Sequence, residues 1–156
     1  MVPQLDGLDE FDEEIINLLI EDGRMSYADL GRRVNLSRAA VRERVRALQD
    51  RGVIERFTLV VNPKKVGRSI SAFFEIDVEP KALTDVALAL AKNRNVLSVN
   101  QMTGPSTLHV HAALADSAHL QEFLQSAIYS IQGITHVRTY ILLHSFKPNQ
   151  SGLRIG

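Results

Sequence analysis

The stretch LSRAAVRERVRALQDRG, Leu36–Gly52, carries five arginines on one helical pattern inside a chain whose formal net charge is zero. Val41, Val45 and Leu48 recur at the spacing of a buried helical stripe. Ser37 stands where an N-cap belongs, and Gly52 follows as the left-handed residue beyond the C-terminus. On such a helix Arg38, Arg42 and Arg46, spaced by four, share one outward stripe. A cation in the first turn opposes the helix dipole. Arg38 is therefore a poor choice for stability alone and a sensible one if a phosphate or a guanine edge lies in front of it. The competing reading is a solvated helix face, partly neutralised by Glu43 and Asp50.

Working outward, the upstream punctuation predicts two more helices. Asp9 with an acid three residues on opens a helix over about residues 10–22, with Phe11, Ile15, Leu18 and Leu19 on its apolar side and Gly23 placed to end it. Ser26 and Asp29 form a second capping pair, leading into a short helix bearing Ala28, Leu30 and Val34 and stopping at Asn35. Downstream, VIERFTLVVN is rich in β-branched and aromatic residues and reads as a strand or strand pair. Three helices with a tight turn between the second and third, followed by a β wing, predict a winged helix-turn-helix.

Charge is segregated along the chain. Only acids occur up to Gly23; from Arg24 to Arg68 twelve cations stand against Asp29, Glu43, Asp50 and Glu55; beyond that the signs balance. The basic block suits a polyanion, and the acidic first helix would face away from it. NPKKVGR, with its Pro, Gly and cations, reads as a linker. With 156 residues, 45% hydrophobic, the chain suits one ordinary packed domain or two small ones. No cysteine is present, so disulfides, thiolate zinc sites and cysteine nucleophiles are excluded. The acidic N-terminus is unlike a targeting peptide, and no apolar run reaches membrane-spanning length, so a cytoplasmic protein without a membrane partner is expected.

The second half alternates between sheet and helix patterns. SISAFFEIDVE places Ile70, Ala72, Phe74, Ile76 and Val78 on one face; KALTDVALALAKN is helical; VLSVNQMTG and TLHVHAALA are strands; SAHLQEFLQSAIYSI is helical; ITHVRTYILLHSF is a last strand. Two split βαβ units predict a ferredoxin-like sheet with helices on one face, giving an α+β chain. Leu108, Val110, Ala112 and Leu114 are expected to meet the helices, and His109, His111 and Ala113 to look the other way.

The segments LDEFDEEII, EDGRMSYADLG, LSRAAVRERVRAL, GVIERF and NPKKVG, in this order and spacing, resemble the Lrp/AsnC (feast/famine) family of transcription factors. The resemblance implies a winged helix-turn-helix over residues 1–62, a linker over 63–68, a βαββαβ effector-sensing and oligomerisation domain over 69–148, and a flexible tail over 149–156. It implies double-stranded DNA as partner, met by Ser37, Arg38, Ala39, Arg42, Glu43 and Arg46, with Lys64 and Arg68 as phosphate contacts. It further implies a homodimer that packs through the open sheet face and reads a two-fold symmetric site, higher assemblies of dimers, and an amino-acid-like effector. In the family the turn between the second and third sensing strands usually reads Thr-Gly-Asp/Asn-Tyr-Asp, whereas here it is Thr103, Gly104, Pro105, Ser106, Thr107. Without the turn carboxylate an ammonium loses its natural partner. The effector candidates are then Thr103, Gly104, Ser106, Asp116, Thr135 and Thr139, with Gly133 beside them; a hairpin turn and a helix cap are the plain alternatives for Gly104 and Asp116.

Two imidazoles alternating on a strand, His109 and His111, share a face, but two ligands do not make a metal site, and no metal or other cofactor is expected. No phosphate loop, serine elbow or paired-acid pattern occurs, so no catalytic residues are assigned. Two other functional classes share the architecture: a siroheme-decarboxylase-like enzyme, and an allosteric adaptor binding proteins. The concentration of arginine on the third helix favours DNA.

Overall fold

In the computed structural model, residues 7–103 and 107–146 are described. The chain divides into two units, one reaching to Val60 and one spanning Val61–Phe146. The expected tail over 149–156 lies outside the described residues.

The first unit is three helices: α1 Glu10–Glu21, α2 Tyr27–Val34 and α3 Arg38–Asp50. Each is opened by a side chain that satisfies an orphan amide. Asp9 accepts from the Asp12 amide, Ser26 from that of Asp29 and Ser37 from that of Ala40. Asn35 ends α2 in the left-handed conformation at φ 55°, and the Leu36 amide donates to the Gly31 carbonyl at 2.9 Å. A Cβ on Gly31 would lie 2.5 Å from the Leu36 carbonyl oxygen, so the turn between α2 and α3 closes only over a glycine. Ile15, Leu30, Val34, Val41 and Val45 form the core, with Leu8, Ile16 and Leu48 as a neighbouring cluster. Gly52 is left-handed, at φ 72°.

Three local expectations are corrected. The end of α1 is shifted by one residue: the helix closes at Asp22, whose amide donates to the Leu18 carbonyl, and Gly23 follows the cap without a left-handed conformation. Phe11 is not a core residue but 40% exposed, lying under the Arg44 guanidinium 5.3 Å away, while its neighbour Asp12 is buried. No strand forms over residues 53–62. Ile54 packs against the helices, but Phe57, Leu59, Val60 and Val61 are exposed, and among the described residues no strand is paired with them. A strand exists only by exchanging hydrogen bonds with a neighbour, so the wing's residue preferences go unused here.

The second unit begins with a 3₁₀ turn, Pro63–Val66, and continues as β1 Ile70–Val78, α4 Leu83–Ala91, β2 Val96–Gln101, β3 Thr107–Leu114, α5 Ser117–Phe123 and β4 Ile134–Ile141. A single π turn, Leu124–Ile128, extends α5. The strands pair antiparallel in the order β2-β3-β1-β4, a ferredoxin-like sheet. Ala72, Phe74, Ile76 and Val78 of β1 and Leu108, Val110, Ala112 and Leu114 of β3 face the helices and are buried with Val86, Leu90, Phe123 and Ile128. The last strand stops at Ile141 rather than running to Phe146. One further bond, Leu142 amide to Ser71 carbonyl, brings it to the start of β1, beyond which there is no strand to pair with. Gly133, at φ 92°, is a packing glycine: a Cβ there would lie 2.4 Å from that of Ala82.

Among the described residues, no helix covers the opposite sheet face. Phe73 stacks on His111 at 4.3 Å, and the Ser71 hydroxyl and His111 Nε2 are 2.6 Å apart. Burial pushes the His111 pKa down, because removing the ring from water disfavours its charged form. Arg138 lies 3.5 Å from Glu75 and 3.2 Å from Asp77, and His109 Nε2 lies 3.7 Å from Glu75. Phe73 and Tyr140 remain exposed. Ala113, expected to be open, is buried; its carbonyl accepts from Arg68, whose side chain lies against this corner. No helix among the described residues is long and apolar enough to cross a membrane.

Candidate nucleic-acid interface

The five arginines of α3 and its C-terminus divide by their partners. Arg44 Nη1 lies 2.7 Å from the Asp12 carboxylate and 2.8 Å from that of Asp9, raising the Arg44 pKa further, chiefly through the bond to Asp12. Arg51 donates to the Gly7 carbonyl at 2.8 Å. Two residues along a helix is about 200° of rotation, so Arg42 and Arg46 lie nearly opposite Arg44, away from the acidic N-terminus of α1. The sequence did not separate Arg44 from its neighbours, because its partners are 32 and 35 positions away.

On that other side Arg38, Ala39, Arg42, Glu43 and Arg46 are all exposed. Arg42 Nε is 3.7 Å from Glu43, and Arg46 Nε 3.9 Å from Asp50, both between well-exposed groups. Such pairs are longer than hydrogen bonds, contribute little and exchange readily for phosphate. Arg38 has no ion pair among the described residues. Ser37 is exposed, with its hydroxyl oxygen engaged by the Ala40 amide, so a DNA contact from it would use the remaining hydroxyl proton. Arg24, Arg33 and Arg56 are likewise exposed, Arg33 near enough to Asp29 to act on its carboxylate, although only the general charge excess drew attention to them. Arg32 differs, being paired with Asp29.

The two linker cations part company. Lys64 is exposed in the 3₁₀ turn, where its amide donates to Asn62. Arg68 does not project into solvent: its Nη1 lies 2.9 Å from Asn95 Oδ1, 3.1 Å from the Ala113 carbonyl and 3.3 Å from that of Arg94. This clamp ties the start of β1 to β3 and the turn before β2. Its acceptors again lie far along the chain, which is why the residue resembled a free linker cation.

Among the described effector candidates, Asp116 stands apart from Thr135. Thr103 is exposed after β2; Gly104 and Ser106 lie outside the described residues. Thr135 donates its hydroxyl to the Asp77 carbonyl, and Thr139 is exposed opposite Phe74. Asp116 is the N-cap of α5, accepting from the His119 amide at 2.8 Å. Thr135 sits at the Asp77 end of β1 and Asp116 beyond the Leu114 end of β3, which pairs with Ile70. Seven strand steps separate those ends, roughly 23 Å. His109 and His111 pair with Glu75 and Ser71, and no group of three potential ligands gathers among the described residues.

Comparison with known proteins agrees with both units. Residues 8–49 match the AsnC-type helix-turn-helix domain, and residues 71–151 match the Lrp/AsnC ligand binding domain. An HTH-type transcriptional regulator of Pyrococcus horikoshii is 38% identical over 86% of this chain and 85% of its own. The HTH-type transcriptional regulator LrpA of the same organism is 31% identical over 90% of this chain and 99% of its own. Among solved structures, a transcriptional regulator of Neisseria meningitidis in complex with L-Met superposes with a TM-score of 0.87 at 26% identity, covering 94% of this chain and 96% of that one.

Proposed function

Since the chain belongs to the Lrp/AsnC family of HTH-type transcriptional regulators, we propose that its Arg38, Arg42 and Arg46 stripe enters the major groove of a two-fold symmetric operator, read by a homodimer. DNA binding through the helix-turn-helix and a ligand-binding second domain are properties of the family; the relatives are transcriptional regulators, not enzymes. The observation that carries the finer reading is the division of the arginines. Arg44 and Arg51 are engaged inside the fold, whereas Arg38, Arg42 and Arg46 stand exposed on the opposite side of α3. A solvated face would need no such one-sided excess. Site of action follows from the target: a regulator of genomic DNA works in the cytoplasm.

Dimerisation is supported by the sheet face without helices, where Phe73 and Tyr140 are exposed beside Glu75, Asp77 and Arg138. Acids and a base on one patch are self-complementary across a two-fold axis. Further assembly of dimers is in keeping with the family.

Arg42→Ala should weaken operator binding by roughly 1–3 kcal/mol and relax base preference at one position of each half-site. Lys64→Ala should instead weaken all sequences alike and flatten the salt dependence. Arg68→Ala should act on the stability of the second unit, since its guanidinium is held there. Titrations of selected and scrambled duplexes at several salt concentrations separate these outcomes.

The effector reading is narrower than the family's. The neighbour from Neisseria meningitidis carries L-Met, but here Pro105, Ser106 and Thr107 replace the usual polar and acidic turn. A buried ammonium without an anionic acceptor costs several kcal/mol. Free amino acids at millimolar concentration, L-Met included, should therefore leave thermal stability unchanged, unless a ligand's amine finds another acid, Asp116 being the candidate. A ligand at 100 times its dissociation constant adds about 2.7 kcal/mol, which a thermal-shift screen detects. A clear shift with an ordinary amino acid that survives Asp116→Ala would show that the altered turn does not matter.

A further inference from the structure

Glu43 is the one acid in the first three turns of α3, and among the described residues its ion pair is with its sequence neighbour Arg42. At about 100° per residue it stands almost diametrically opposite the buried stripe of Val41, Val45 and Leu48, on the outward face between Ala39 and Ala47, with Arg46 about 60° to one side. It is too far along the helix to interact usefully with the N-terminal dipole. Its neighbours four residues away are Ala39 and Ala47, and its neighbour three residues on, Arg46, lies near Asp50 instead. Arg42, 3.7 Å away, is adjacent in sequence, a spacing that does not make a stabilising helical pair.

On a helix that enters the major groove, this carboxylate faces a surface carrying one negative charge per about 1.7 Å of axis. It is repelled unless a base offers a donor. The major groove has two such donors, the N4 amino group of cytosine and the N6 amino group of adenine. Adenine also presents the N7 acceptor, which repels the second carboxylate oxygen, so cytosine fits better.

We propose that Glu43 is a specificity-determining residue, accepting a hydrogen bond from the N4 amino group of a cytosine in each half-site and disfavouring a guanine or thymine at that place on the contacted strand, which offers only acceptors or a methyl group. The assignment rests on the reading of α3 as the groove-reading helix. It differs from the roles of the arginines in sign: removing an arginine weakens binding, whereas removing Glu43 strengthens binding to unselected DNA.

The test uses the full chain and its Glu43→Gln and Glu43→Ala variants, competing the selected operator against random duplex at one fixed salt concentration. Both variants should bind random duplex more tightly than the parent. The operator-to-random ratio should fall by about 5- to 150-fold per half-site position. Glu43→Gln should move the preference at that position to adenine, which an amide can meet with both a donor and an acceptor, and Glu43→Ala should abolish it. An unchanged ratio and unchanged base preference in both variants overturn the assignment. If Arg42→Ala nevertheless degrades selection, only the role of Glu43 falls; if the parent protein selects no sequence, the groove-reading helix falls with it.

Discussion

Arg44→Ala is expected to destabilise the helical unit by about 2–4 kcal/mol, more than any single substitution on the exposed arginine stripe. The Asp12 side chain is only 11% exposed and meets Arg44 at 2.7 Å, so truncating Arg44 leaves a carboxylate largely removed from water without its counter-ion. The full cost of breaking a buried pair, about 3–5 kcal/mol, is reduced because Arg44 is itself 30% exposed and Asp9 about half exposed. Loss of the guanidinium over Phe11 adds to it. Arg44→Lys should recover part of the loss, since a single ammonium cannot reach both acids with the same geometry. Denaturant unfolding of the parent and the two variants checks this, and a change below about 0.5 kcal/mol in Arg44→Ala would show that the pair contributes nothing.

The same cluster sets an acid limit. The Asp9 carboxyl is held below the ordinary carboxylate range, first by the Asp12 amide and then by Arg44. A depressed carboxylate pKa means the unfolded chain takes up the proton first as pH falls. The stabilisation is therefore present above the ordinary carboxylate value and is lost on acidification through the lowered one.

Separating the two units should cost operator affinity about 100- to 10,000-fold. A Met1–Pro63 fragment retains α1 to α3 and the arginine stripe, so each copy can still occupy a half-site. It lacks the sheet face that would hold two copies together, and so forfeits the effective concentration that a linked second contact supplies. An Ile70–Lys147 fragment should dimerise unaided. Sedimentation of that fragment as a strict monomer would contradict dimerisation through the open sheet face, and a Met1–Pro63 fragment with undiminished affinity would contradict the cooperative reading of two half-sites.

Legibility in the sequence followed the range of the interaction. Asp9, Ser26 and Ser37 were readable as caps because the amides they satisfy lie three residues on. The alternation of β1 and β3 was readable because burial of one sheet face imposes a period of two. The helix-bearing half of the sheet followed from the same pattern. The wing was misread because strand formation depends on a partner that residue preference does not supply, leaving Phe57 and Leu59 exposed. Arg44 and Arg68 looked like free cations because their acceptors come from remote segments. Asp116 and Thr135 were grouped as effector candidates through the family resemblance, yet the antiparallel pairing of β1 places them at opposite ends of the sheet, and Asp116 caps α5. Within the candidate interface, the outward position of Arg38, Arg42 and Arg46 was readable from spacing alone. Which arginines were already neutralised was not.

Selection of bound sequences from random duplex DNA by the full chain at defined salt tests the central claim most directly. The exposed stripe of α3 predicts enrichment of a two-fold symmetric sequence whose half-sites lie about one helical turn or a multiple of it apart, with the enrichment lost in an Arg38→Ala, Arg42→Ala, Arg46→Ala triple variant that still folds. Equal retention of all sequences by the parent protein, or an unchanged enriched sequence in the triple variant, would contradict the assignment of this helix face to DNA readout.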